Sequence, residues 1–130
     1  MQKAPHSFGT RCLSCAVLVA VILVLSFSLG VSAQPDQEAE RYKIAYLMNA
    51  IGASDLVFIR NGAEYTGEEA KSHLQDKLDI AGFRVHTAED FIVYIGSISN
   101  ETGLPYYIRL ADGTQMESGI WLRIKLAEIK

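Results

Sequence analysis

Residues 58–78 read FIRNGAEYTGEEAKSHLQDKL, and this stretch forces the chain first to reverse and then to wind. Asn61-Gly62 follows the apolar run Leu56-Val57-Phe58-Ile59. Both residues of an Asn-Gly pair tolerate positive φ, so the pair closes a two-residue turn whose twist suits the adjoining strands. Ala63-Glu64-Tyr65 is then a short return strand. Thr66 caps the helix that follows through its hydroxyl, while Glu69, three residues on, reaches back to the Thr66 amide. Ala70, Leu74, Leu78 and Ala81 recur at helical spacing, and Gly82 supplies the stop.

Upstream, Ile44, Leu47, Met48 and Ile51 fall at helical spacing with Tyr42 and Tyr46 on their flank. With Asp36 as a cap and Gly52 as the end, they predict a helix over about 37–51. Core packing accounts for the aromatic flank better than a ligand platform does. Downstream, Phe83 to His86 is a connector to a third helix, capped by Thr87 with Asp90 three residues on. Ala88, Phe91, Ile95 and Ile98 form its inner face, Ile92 and Tyr94 widen that face, and Val93 points away. Ser97 to Pro105 is a loop by composition. Tyr106 to Leu110 is a β-rich run, and Asp112-Gly113 turns it back through Thr114-Gln115-Met116. Ile120 to Ile129 fits two patterns. Ile120, Leu122, Ile124 and Leu126 alternate as in a strand, whereas Trp121, Leu122, Lys125, Leu126 and Ile129 make a helical face; Ser118 as N-cap favours the helix. Tyr107-Ile108-Arg109 before Gly113 echoes Phe58-Ile59-Arg60 before Gly62, as two similar hairpins would. The expected architecture is one small α+β domain over 34–130, about four helices covering two short hairpins that pair into a small antiparallel sheet.

The first 33 residues read as an address. Lys3 and Arg11 give a basic start, an apolar run extends from Cys12 to Leu29, and Val31-Ser32-Ala33 offers a signal-peptidase site before Gln34. The alternative is an uncleaved inner-membrane anchor, because the run has the length a bilayer requires. Both cysteines, Cys12 and Cys15, lie in this segment, so a mature chain from Gln34 has neither disulfides nor thiolate ligands. Losing Lys3 and Arg11 also makes a chain of net charge −3 more acidic still. That balance argues against nucleic acid and against electrostatic docking on anionic lipid. The expectation is a periplasmic protein with an unknown protein or small-molecule partner and no stable membrane anchor after cleavage.

Several short segments, in order, resemble the YfeK-like family of small exported bacterial proteins, a domain of unknown function. They are Tyr65-Thr66 with Glu69-Ala70, then His73-Leu74 and Lys77; Thr87-Ala88-Glu89 with Phe91-Ile92; Ser97 and Ser99 with Thr102-Gly103 and Pro105-Tyr106; and Trp121-Leu122 with Leu126. Asn100 stands where a second serine would be expected. The resemblance implies a periplasmic location in a Gram-negative bacterium and a helical final segment. It implies no activity, cofactor or catalytic residue.

Candidate chemistry is sparse. His73 lies four residues after Glu69 on one helix side, where a carboxylate orients an imidazole as a base, and Ser97, Ser99 or Thr102 could supply a hydroxyl for a small hydrolase. The plainer reading makes His73 a half-buried boundary residue, since no nucleophile-elbow motif is present. A metal site needs three or four convergent ligands, and His73 and His86 lack zinc-motif spacing, so no metal and no cofactor is expected. Glu68, Glu69, Asp76 and Asp79 read as a solvated helix face. Arg60 and Arg109, matched in the two hairpins, could clamp an anion if the hairpins adjoin, or simply pair with Glu64 or another acid. Arg60, Tyr65, Arg109, Thr102 and Tyr106 are the candidate ligand-binding residues, around a loop, 97–105, of the kind that carries recognition. A non-catalytic binding or envelope-associated module is the leading reading, with the hydrolase and a partner subunit of an envelope complex as alternatives.

Overall fold

The computed structural model describes residues 35–130. The expected leader and its cleavage site lie outside the described residues. Helix α1 (Pro35–Gly52) leads into strands β1 (Val57–Arg60) and β2 (Ala63–Tyr65), then α2 (Gly67–Ala81) and a 3-10 turn (Gly82–Arg84). One α-turn, α3 (Ala88–Asp90), passes directly into a π-helix (Phe91–Gly96), followed by β3 (Tyr107–Arg109), β4 (Gln115–Glu117) and α4 (Ser118–Leu126). The fold is the small α+β domain expected.

The strands form one antiparallel sheet in the order β2-β1-β3-β4. The two hairpins therefore adjoin through β1 and β3, with Phe58 opposite Ile108. Strand alternation sends both of these inward. Phe58 meets Trp121 of α4 edge-on, ring centroids 5.9 Å apart. Leu47 and Ile51 of α1, Leu74 of α2, Phe91 and Ile95 of the π-helix and Leu122 of α4 complete the core. Tyr46 packs against it, whereas Tyr42 and Tyr94 are exposed.

The first hairpin closes as its residues dictate, with φ of 51° at Asn61 and 80° at Gly62. At the start of α2 the full capping box forms: Thr66 Oγ1 accepts from the Glu69 amide at 3.3 Å, and Glu69 Oε2 accepts from the Thr66 amide at 2.8 Å. Thr87 and Asp90 make the same box. Gly67 is buried where α2 meets the end of α1, and a Cβ there would stand 2.3 Å from the Ile51 carbonyl oxygen and 2.7 Å from that of Ser54.

Tyr42, Tyr94 and Ile98 do not take the packed positions expected of them, Ile98 lying exposed beyond the third helix, and four further details differ from expectation. Asp36 lies inside the first turn of α1, because the helix already includes Pro35, a residue suited to that turn. Gly82 ends α2 without a left-handed cap, at φ −61°, and the chain tightens into the 3-10 turn. The third helix is π-helical for most of its length. Ser118 is the first residue of α4 and buried, with Glu117 at the cap position, because the Ser118 amide already donates to the Tyr106 carbonyl at 2.8 Å.

Candidate functional site

Between the inner face of the first hairpin and α2 lies a small cleft of about 40 Å³. Arg60, Tyr65, His73 and Tyr106 are among its lining residues, with Phe58 and Leu74 as apolar floor. Arg60 and Phe58 share a sheet face by alternation, and Tyr65 joins them because it pairs with Phe58. Tyr106 precedes β3, on the side of Ile108. Three of the five candidate ligand-binding residues thus meet in one place.

The Arg60 guanidinium is half-buried. Its Nη2 forms an ion pair with Glu101 Oε2 at 3.0 Å, while its Nε is buried with no acceptor. Beside it, Lys77 Nζ lies 5.4 Å from the centroid of the Tyr106 ring and donates to the carbonyls of Ile95 and Ile98, at 3.0 and 2.7 Å. Those carbonyls lie at the end of the π-helix, where backbone acceptors lack intrahelical partners. Burial, reinforced by the charge of Arg60, brings Lys77 down to about 8. Burial also raises the pKa of the Tyr106 hydroxyl above its ordinary value, with the charge of Arg60 opposing.

Thr102 belongs to the rim. Its Oγ1 donates to Asn61 Oδ1 at 2.6 Å, and Asn61 Nδ2 donates to the buried Ser99 Oγ at 3.2 Å. The tip of the first hairpin and the 97–105 loop are thereby fastened together.

Arg109 does not join the cleft. It stands opposite Val57, on the outer face and at the other end of β1 from Arg60, so the two guanidinium groups cannot close on one anion. Arg109 pairs instead with Glu64 at 2.5 Å, which lowers the pKa of that carboxyl. The hydrolase residues do not assemble either. Glu69 Oε2 is occupied by the Thr66 amide and hydroxyl, and those bonds hold its carboxyl below the usual range. Ser97 Oγ donates to the Ile92 carbonyl at 2.6 Å, and Ser99 is engaged by Asn61. His73 is exposed rather than half-buried, set edge-on to Tyr65 with ring centroids 5.1 Å apart. No hydrogen bond joins it to a serine or to Glu69 among the described residues. No group of three or more potential metal ligands converges there either.

Lys77 and Glu101 are site residues that the sequence does not single out. Lys77 had a signal, since it lies one turn after His73 on the same side of α2. Glu101 had none, because its pairing with Arg60 depends on how the loop folds back.

A four-stranded sheet backed by helices, with a small cleft beside the first hairpin, defines a small α+β domain. The chain belongs to the family of unknown function DUF5329, which matches residues 38–130. It is similar to the uncharacterized protein YfeK of Salmonella typhimurium, at 42% identity over 93 residues, covering 71% of this chain and 72% of that one. No solved structure matches it.

Proposed function

We propose that this protein is a non-catalytic binding module of the bacterial envelope, exported through a cleaved leader, with the cleft beside Arg60 as its recognition surface. The observation that carries the reading is Arg60 itself, a half-buried guanidinium with its Nε sealed and unpaired. Leaving such a donor without an acceptor costs on the order of 1–3 kcal/mol, a cost that a ligand able to satisfy it removes. The engagement of Glu69, Ser97 and Ser99 in local structure supports binding over chemistry. Lys3 and Arg11, the apolar run after them and Val31-Ser32-Ala33 support export to the periplasm. No helix among the described residues is long and apolar enough to cross a membrane.

The test is complementation of a deletion strain, together with fractionation of the native protein. Arg60→Gln is expected to melt close to wild type yet fail to complement, and Arg109→Gln, on the outer face of the sheet, to complement. A complementing Arg60→Gln removes the cleft from the reading. N-terminal sequencing should find Gln34 first in periplasmic protein, and an intact Met1 in the membrane fraction overturns the export.

Ile80 and Phe83, 81% and 72% exposed and three residues apart at the end of α2, favour a second reading as a partner subunit of an envelope complex. Photo-crosslinking from position 83 in cells tests it, and the absence of any adduct removes it.

A further inference from the structure

We infer that the cleft receives a carboxylate group, held along one edge of the Arg60 guanidinium in place of Glu101. The inference deepens the proposed binding role and rests on it. Nε and Nη2 are the two donors on one edge of a guanidinium, and their spacing matches the two oxygens of a carboxylate. Glu101 reaches only Nη2, at 3.0 Å, and leaves Nε without an acceptor. An incoming carboxylate engaging both atoms would satisfy what Glu101 does not.

Glu101 has the properties of a placeholder. Its side chain is 71% exposed and meets the protein through this one ion pair. The turn that carries it is fixed: the Ser99 amide donates to the Leu104 carbonyl at 2.9 Å, the Gly103 amide donates to the Ser99 carbonyl at 2.8 Å, and Thr102 is bonded to Asn61. An exposed ion pair is weak, so an external acid displaces it at little cost.

The cleft, about 40 Å³, has room for a small group against the Arg60 side chain. The rest of the ligand then lies against the rings of Tyr65 and His73 at the mouth. The Tyr106 hydroxyl, close to Arg60, supplies a further donor to the acid. Two sources carry this chemistry, a peptide chain end and a small organic acid.

The experiment is an NMR titration of the isotopically labelled protein with four probes: acetate, N-acetyl-alanyl-alanine, its C-terminal amide, and inorganic phosphate. The free acids are expected to shift the amides of Arg60, Asn61 and Tyr106, and the peptide amide to leave them in place. Binding of the peptide acid well above acetate assigns a chain end; equal binding assigns a small organic acid. Glu101→Gln should tighten the acid about two- to fivefold, the size of an exposed ion pair. Arg60→Gln should weaken it about tenfold or more, as loss of a charge-assisted pair does. Tyr106→Phe, which alters only one hydroxyl, should weaken it less and keeps the test decisive if Arg60→Gln does not fold. Equal binding of acid and amide, tighter binding of phosphate, no shift with any probe, or an unchanged affinity in Glu101→Gln would overturn the carboxylate. If Arg60→Gln fails in complementation while no acid binds, the cleft stands and its ligand has another chemistry.

Discussion

Lys77 Nζ donates to the carbonyl of Ile98 at 2.7 Å, a bond that ties the middle of α2 to the chain leaving the π-helix. The same ammonium serves the Ile95 carbonyl and stands beside Arg60, so one cation supports a backbone end and a binding cleft.

That placement predicts a pH signature. Lys77 has a folded pKa of about 8 against an ordinary value of 10.5, so between those values the unfolded chain holds a proton that the native chain has released. Stability from this group therefore rises as pH goes from about 8 to 10.5 and is lost again as pH falls from 10.5 to about 8. Because Lys77 is only half-buried, solvent screening reduces the effect to about 1 kcal/mol. Urea midpoints of wild type and Lys77→Met at pH 7.5 and 9.5 check it, and the wild type should gain on the variant at the higher pH. Parallel behaviour would show that Lys77 titrates normally.

Thr66→Ala is expected to lower stability by about 1 kcal/mol, the usual loss for a helix cap. The hydroxyl it removes accepts from the Glu69 amide and donates to Glu69 Oε2 at 2.9 Å. Urea unfolding measures this directly. An unchanged midpoint would mean that water replaces the cap.

Gly67→Ala should cost about 1–3 kcal/mol through overpacking, because the added methyl meets main-chain oxygens that cannot swing aside. Thermal melts provide the check. A variant as stable as wild type would require α1 and α2 to separate freely at this point.

His73→Gln is expected to change stability by less than about 0.5 kcal/mol, as an exposed substitution does. A boundary position would have implied a larger loss, but the residue is exposed, its ring edge-on to Tyr65 at the cleft. Melts paired with complementation decide the matter. A variant that melts like wild type and fails to complement would place His73 in the function.

What the sequence made legible was local. The Asn61-Gly62 turn and both capping boxes depend on residues within four positions of one another, and all formed as expected. The π-helix was illegible because its apolar spacing also fits an α-helix; its geometry goes with distant partners, Lys77 on its carbonyls and Leu122 against Gly96. Ser118 failed as a cap for a similar reason, its amide being taken by the Tyr106 carbonyl just before β3. Arg60 and Arg109 occupy equivalent sequence positions, yet antiparallel register sends them to opposite faces. Arg60, Tyr65 and Tyr106 were each readable as candidates. That they share one cleft follows from strand pairing, which no single segment encodes.

The sheet's outer strands have a consequence for self-association. β2 and β4 are each three residues long, and each carries a glutamate, Glu64 on one and Glu117 on the other. Each strand runs almost at once into a helix, β2 after Thr66 and β4 without a break. A second molecule seeking to extend the sheet would find a charged edge too short to hold it. Resistance to strand-wise aggregation is thus built into the same hairpins that form the cleft, and it requires neither a disulfide nor a covering partner.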